Sequence, residues 1–151
     1  MSPRPAYDQI IQGISGIMSI TGHEKKSPLR VGSPLADTIG GLTAAMAISA
    51  ALNKNPRGQM IDVSMLDSVL TTMGWVDSNY LIGGIFPTPQ GNENMTSAPS
   101  GTFQTKKGLI NIAANEEKQW QSLIKHLGCQ YLSKFIILGS GFSGCRHMSL
   151  S

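Results

Sequence analysis

Asp37 is the residue of this chain whose type and position best suit chemistry. Its carboxylate follows residues 33–36 and directly precedes an alanine-rich apolar stretch over residues 38–52. An acidic side chain there can accept hydrogen bonds from the free N–H groups of a first helical turn, so a structural cap is one interpretation. Gly40 and Gly41 follow, and glycines near a helix start let another backbone or a ligand approach closely. A functional carboxylate at a helix start is therefore the second interpretation.

The other side chains that commonly bind metals or react are too scattered to form a site. Cys129 and Cys145 have neither C-x-x-C spacing nor a histidine at ligand spacing, which is typical of unpaired thiols in a reducing compartment. The histidines at positions 23, 126 and 147 form no H-x-x-x-H or H-x-E pattern. We therefore predict no metal site.

The composition is that of a globular domain with few charges. Of the 151 residues, 40% are hydrophobic and 14% are charged, which indicates a folded chain long enough for one core. The net charge of +3 is modest, and the basic residues do not form the aromatic-interleaved stripe that binds nucleic acid. We predict no nucleic-acid partner, and the basic residues suit either a solvated surface or anionic small molecules such as phosphates.

Neither a membrane span nor a signal peptide is predicted. No apolar run is expected to approach the ~20 residues of a transmembrane helix, and the residues before Tyr7 lack the apolar core of a signal peptide. The expected location is the cytoplasm, or an organelle matrix such as the mitochondrial one if an upstream targeting segment is missing.

Hydrophobic spacing predicts helices and a strand in the first part of the chain. Apolar residues recur at helical spacing over 7–18, and the helix that Asp37 opens runs to about residue 53. Residues 59–65 alternate between apolar and polar, which predicts a buried strand, and helical spacing returns over 66–76. Helix, strand and helix with short connections indicate an α/β layered sheet.

The second part follows a different pattern. Residues 82–101 are rich in proline and glycine without periodicity, which indicates a linker or a long functional loop. A hairpin is predicted around residues 105–108, followed by a short helix with Asn115 as its cap and Gly128 as its end. The chain thus divides into a first α/β domain, the linker, a smaller α+β unit and an aberrant tail, at residues 1–81, 82–101, 102–131 and 132–151.

Three ordered blocks of sequence resemble the class III CoA-transferase family (CaiB/BaiF type, the carnitine and formyl-CoA transferase group). Shorter matches at Gly91, Phe103 and Gln119 extend the resemblance to about residue 131. The blocks are Arg-Pro-Ala-Tyr-Asp-Gln at 4–9 continuing to Gly22, Ser-Pro-Leu-Ala-Asp at 33–37 with the two glycines at 40–41, and Arg-Gly-Gln-Met-Ile-Asp-Val-Ser-Met-Leu-Asp at 57–67.

The resemblance implies a fold and an assembly. Family members have a Rossmann-like large domain and a small domain, and two chains interlock as a homodimer. Residues 1–81 would then be the C-terminal part of the Rossmann-like CoA-binding domain, and residues 102–131 the start of the small α+β domain. The resemblance further implies a fragment truncated at both ends, because the family has a long upstream region and the tail leaves the family pattern after Tyr131, as after a frameshift.

The resemblance also implies an activity, the transfer of CoA from an acyl-CoA donor to a carboxylic acid. Asp37 matches the family's nucleophilic aspartate, which forms an aspartyl-CoA intermediate, and amides near residues 38–41 are candidate donors to the oxyanion. Met65 matches a position near the family's CoA site, although packing is the alternative for that side chain. CoA thioesters, with succinyl-CoA as the family-level expectation, are substrates, and no permanently bound cofactor is implied.

Two alternatives remain beside the transferase. The α-methylacyl-CoA racemases have a histidine where this chain has Tyr7, and a tyrosine with its ordinary pKa of about 10 is poorly suited to proton exchange near neutral pH. The second alternative is an inactive remnant, or a fragment that only associates with other chains, because missing sheet neighbours would expose strand edges and apolar helix faces. On this view, and equally for a transferase fragment, the 151-residue chain alone is expected to be inactive, because the resemblance places most of the CoA pocket upstream.

Overall fold

The computed structural model describes residues 5–54, 58–94 and 99–134. The chain forms two compact units, Met1–Gly91 and Asn92–Ser151, so the division falls inside the segment 82–101 that the sequence predicts as a linker. The predicted tail at 132–151 lies mostly outside the described residues; residues 132–134 belong to a short 3₁₀ helix.

The described part of the first unit contains five helices joined by loops, and an isolated antiparallel bridge between His23 and Gln90. Gly16 has a φ of +81°, which a residue with a side chain rarely adopts, and this backbone turn divides the predicted helix over 7–18 into two. The predicted helix over 66–76 is likewise divided, at Met73. The elements are α1 (Asp8–Ile14), α2 (Ile17–Ile20), α3 (Leu35–Leu52), α4 (Met65–Thr72) and α5 (Gly74–Leu81).

A small apolar core joins α1, α3 and α4. Ala36 and Val69 are fully buried, and Ile11 and Met73 almost fully. α3 approaches α4 closely at Gly40, where a Cβ atom would lie only 3.3 Å from the Cγ of Met65. The core therefore fixes the first turns of α3 against two other helices.

The predicted strand over 59–65 is wrong. Residues 58–64 belong to no strand, Met60 is 91% exposed, and Met65 already opens α4. The alternation that suggested a strand is present, since Ile61 and Val63 are half-buried and their neighbours are exposed. A strand also needs a neighbour for its N–H and C=O groups, and none lies beside this segment among the described residues.

Helix α3 is long and apolar enough to cross a membrane, contrary to the sequence expectation. It has 18 residues with a mean hydropathy of 1.5, and 11% of them are buried in the described structure. Core helices of soluble proteins and signal sequences have the same length and composition, so these properties alone assign α3 to neither environment.

The second unit contains the predicted hairpin and helix. Strands β1 (Ser100–Thr105) and β2 (Gly108–Ala113) pair antiparallel, and the pair Thr105 and Gly108 closes a two-residue turn, which confirms the hairpin. Helix α6 (Glu117–His126) buries Trp120 and Ile124.

The ends of α6 agree only partly with the sequence prediction. Its cap is Glu116 and not Asn115, because Glu116 and Gln119 bond reciprocally to each other's backbone N–H groups. Gly128 has a φ of +69° directly after the last turn, which confirms it as the end of the helix.

Candidate active site

Asp37 is the third residue of α3, and its side chain is exposed in the first turn. The sequence prediction of Asp37 at a helix N-terminus is confirmed, but the prediction that it caps the helix is wrong. The helix begins two residues earlier, at Leu35, and its cap position is held by Pro34, whose side chain has no acceptor. The Asp37 carboxylate forms no hydrogen bond with any described residue, so it does not act as the cap of α3.

Asp8 of α1 performs the capping instead. Its Oδ1 accepts a hydrogen bond of 2.8 Å from the backbone N–H of Ala36, the second residue of α3. Its Oδ2 accepts one of 2.8 Å from Gln12 Nε2 and a longer one of 3.4 Å from Arg30 Nη2. Asp8 is buried and lies 28 residues before its backbone donor. A carboxylate from another helix thus satisfies an N–H group that the local sequence leaves without an acceptor.

Gln12 connects this carboxylate to the segment that leads into α3. Its side chain is fully buried, and its Nε2 also donates to the carbonyl of Ser33 at 3.2 Å. Its Oε1 accepts from the backbone N–H of Val31 at 2.9 Å. Within the described residues, no buried side-chain polar atom is left without a hydrogen bond. The Gln12 amide therefore holds the segment that leads to Asp37 through both of its polar atoms, with Nε2 bonded to Ser33 and Oε1 to Val31.

Among the first four N–H groups of α3, the one of Asp37 has no partner in the described residues. Leu35 donates to the carbonyl of Ser33 at 2.8 Å, and Ala36 donates to Asp8. Thr38 donates to the carbonyl of Pro34 at 3.0 Å, and the later amides donate within the helix. The amides over residues 38–41, which the sequence suggests as oxyanion donors, are therefore already bonded. The N–H of Asp37 becomes the candidate donor instead.

Met65 lies beside the helix that contains Asp37. It is the half-buried first residue of α4, and its Cγ lies against Gly40, one turn after Asp37 on α3. The contact supports the packing interpretation of Met65, while a contact of its side chain with CoA stays a prediction. Tyr7, the residue that separates the transferase from the racemase pattern, precedes α1 and is 66% exposed.

Sequence reasoning identified Asp37 and missed the residues that hold its turn. A signal for them is present: Asp8 and Gln12 are polar, lie four residues apart and so share one face of α1. That face turns inward, which the mixed apolar and polar sequence of α1 does not indicate. No group of three potential metal ligands occurs in the part of the chain that the structure describes.

Comparison with known proteins identifies the family. The sequence model described as CoA-transferase family III matches residues 1–136. The chain belongs to CoA-transferase family III. It is 35% identical over 125 residues to a succinate–glutarate CoA-transferase of Agrobacterium fabrum, covering 81% of this chain and 31% of that protein. It is 34% identical over 130 residues to the human succinyl-CoA:glutarate CoA-transferase, covering 84% and 30%.

The solved structures agree with the sequence relatives. A CAIB/BAIF family protein from Brucella suis matches 89% of this family III chain and 37% of its own length, with a TM-score of 0.72 and 33% identity. The likeness confirms the predicted α/β class as part of a larger fold. The chain spans about a third of the length of the relatives it matches.

Proposed function

We propose that this chain contains the nucleophile of a CoA-transferase that moves CoA from an acyl-CoA donor to a carboxylic acid. The observation that supports it most directly is the state of Asp37. Its carboxylate is exposed, free of capping and placed at the start of an 18-residue helix in a family III chain. Because it is exposed and caps no amide among the described residues, this carboxylate is open to a substrate.

The reaction divides one difficult exchange into four acyl-transfer steps. The Asp37 carboxylate attacks the thioester carbonyl of the donor, forming a mixed anhydride and expelling CoA thiolate. The thiolate attacks the aspartyl carbonyl, giving aspartyl-CoA and the free donor acid. The acceptor carboxylate then attacks aspartyl-CoA, again giving a mixed anhydride and thiolate. Attack of the thiolate on the acceptor acyl carbonyl releases the new acyl-CoA and restores Asp37.

The start of α3 favours the negative charge that develops in each step. A helix N-terminus has a partial positive charge, and an N–H group directed at a developing oxyanion lowers the barrier. The unpartnered N–H of Asp37 lies in this first turn. CoA enters and leaves as a thioester substrate in this scheme, so no permanently bound cofactor is required.

We further propose dicarboxylic acids as substrates and a homodimer as the assembly. The two curated relatives described above are named for succinate or succinyl-CoA with glutarate. The assembly is supported by large apolar side chains that are half or more exposed on α1 and α3, namely Ile10, Ile14, Leu42, Met46 and Leu52. Exposed apolar surface of this extent is typical of surfaces that other protein segments cover.

The same exposed side chains favour a second candidate, a chain that associates with other chains without catalysis. In this case the chain would self-associate, which analytical ultracentrifugation over a concentration series measures. A sharp, reversible thermal transition of a monomer at dilute concentration would contradict it.

A trapping experiment on the 151-residue chain tests the catalytic proposal. The chain is incubated with succinyl-CoA, glutarate and hydroxylamine, and the peptide that contains Asp37 is analysed by mass spectrometry. An anhydride or thioester on Asp37 reacts with hydroxylamine to give a hydroxamate, whereas a resting carboxylate does not. A hydroxamate at Asp37 that requires the donor supports the transferase. Its absence, together with unchanged succinyl-CoA, supports the association-only candidate.

A further inference from the structure

Asp8 and the fully buried Gln12 form a hydrogen-bonded pair in the interior of the first unit. The pair connects α1 to the backbone at Val31 and Ser33 and to the start of α3, over sequence separations of 19 to 28 residues. Buried polar groups are costly unless they are hydrogen-bonded, and here every buried side-chain polar atom among the described residues has a partner. Such an arrangement fixes one geometry and penalises the others.

Each atom of the Gln12 amide has a defined neighbour. Nε2 faces two acceptors, the Asp8 carboxylate and the Ser33 carbonyl, and Oε1 faces the N–H of Val31. The reversed amide would direct an oxygen at two acceptors and the NH₂ group at a donor, so only one orientation is compatible with this site. A fully buried glutamine held in this way also fixes the rotation of the Asp8 carboxylate.

The fixed carboxylate anchors the residue that precedes Asp37. Pro34 brings no acceptor to the helix start, so the N–H of Ala36 depends on Asp8 Oδ1. Ala36 is fully buried, so water cannot replace Asp8 as the acceptor of its N–H. Because Asp37 follows in the same turn, the direction of its side chain depends on this bond.

We infer that Asp8 and Gln12 are positioning residues for the Asp37 carboxylate. The catalytic part of the inference depends on the proposed function of Asp37, whereas the anchoring of the α3 start does not. A displacement of about 1 Å of a reacting group can cost on the order of a hundredfold in rate. Loss of the anchor should therefore slow acylation of Asp37 without removing any group that contacts the substrate.

The test exchanges the amide and the carboxylate between the two positions. In Asp8→Asn alone, the new NH₂ group meets the Gln12 NH₂ group, and in Gln12→Glu alone, two carboxylates meet. In the double variant, the amide now at position 8 donates to the carboxylate now at position 12, while the amide oxygen still accepts from Ala36. The central bond is thus remade in reverse, while the bonds to the Ser33 carbonyl and to Arg30 Nη2 stay lost. Gln9→Glu, at an exposed site on the same helix, is the matched control for added charge.

Two measurements are made on the 151-residue chain and each variant. The first is the hydrogen-exchange rate of the Ala36 amide by NMR, which needs no activity. Each single variant should raise it by roughly fivefold or more, as expected for the loss of a helix cap. The double variant, which lacks the bonds to Ser33 and Arg30, should still exchange at least about twofold more slowly than either single variant. The second is the rate of hydroxamate formation at Asp37 with succinyl-CoA, which should fall in both single variants and recover in the double one, with the same dependence on donor concentration.

Unchanged Ala36 exchange in the single variants, or a double variant no better than either, overturns the inference. Recovery of exchange without recovery of hydroxamate formation overturns its catalytic part, because the anchor would then not control Asp37. If the wild type itself forms no hydroxamate, the proposed function fails, and the exchange rates alone decide whether the pair positions the helix start.

Discussion

Helices α3 and α4 lie against each other, and each has an aspartate as its third residue, yet they begin in opposite ways. α4 is capped by its own sequence: Ser64 Oγ accepts from the N–H of Asp67 at 3.2 Å. α3 has Pro34 at the same position and takes its cap from Asp8, which bonds one residue earlier, at Ala36. The local cap therefore occupies the N–H of Asp67, while the distant cap leaves that of Asp37 open. Because the cap of α3 comes from another helix, the N–H and the carboxylate of its third residue are both left without a capping bond.

The largest expected effect separates the two aspartates. Asp37→Asn should reduce hydroxamate formation with succinyl-CoA by at least about a hundredfold, because the nucleophile is lost. It should leave the helix intact, since Asp37 caps nothing. Asp67→Asn, at the equivalent position of α4, is the control and should retain the wild-type rate. Equal losses in both variants would mean that Asp37 has no special role.

Removal of the two caps should also raise hydrogen exchange over different lengths of the chain. Ser64→Ala should raise hydrogen exchange about fivefold at Asp67 and little elsewhere, because one exposed bond is lost. Asp8→Ala removes one partner of the Gln12 amide and leaves the Ala36 N–H unpaired in the interior, which should cost about 1–3 kcal/mol and raise exchange throughout α1 and α3. An effect of Asp8→Ala confined to Ala36 would contradict the anchoring of the whole helix start.

The contact between the two helices can be tested with neighbouring glycines. Both Gly40→Ala and Gly41→Ala should gain up to about 1 kcal/mol of helix propensity. A Cβ at Gly41 meets nothing within 4 Å, while one at Gly40 lies 3.3 Å from Met65 Cγ, so the gain should be largely cancelled there. Exchange rates of the central α3 amides measure the difference, and equal gains would show that Met65 does not hold α4 close.

The smallest expected effect concerns the charge beside Asp8. The side chain of Arg30 is 43% exposed, and its Nη2 lies 3.4 Å from Asp8 Oδ2. Exposed ion pairs contribute about 0–1 kcal/mol, so Arg30→Gln should change Ala36 exchange by less than about threefold. An effect as large as that of Gln12→Glu would transfer the positioning role from the amide to the ion pair.

The features that the sequence predicts are those set by residues close in the chain. The turn between Thr105 and Gly108, the end of α6 at Gly128 and the placement of Asp37 at a helix start all depend on local backbone preferences. Even a local pattern is ambiguous, since Ser64 is predicted within a strand and in fact caps α4. Alternation suits a strand, but only a neighbouring strand makes one.

The features that the sequence does not predict depend on distant partners. The bond from Ala36 to Asp8 spans 28 residues, and nothing near Pro34 indicates that an acceptor arrives from another helix. Asp37 is identified by resemblance to a family, whereas its release from capping follows only from the fold. Physical proximity across the chain, and not residue type, makes Asp8 a buried cap while the Asp37 carboxylate stays exposed.

The distant cap also sets an order for assembly. Because Pro34 offers no acceptor, the first turn of α3 gains its anchor only when α1 has docked, unlike α4, which carries Ser64 with it. Asp8 precedes α3 in the chain, so during synthesis the acceptor emerges before the helix that requires it. The carboxylate of Asp37 thus acquires its final surroundings only with the tertiary contact between α1 and α3, whereas α4 forms its cap from local sequence alone.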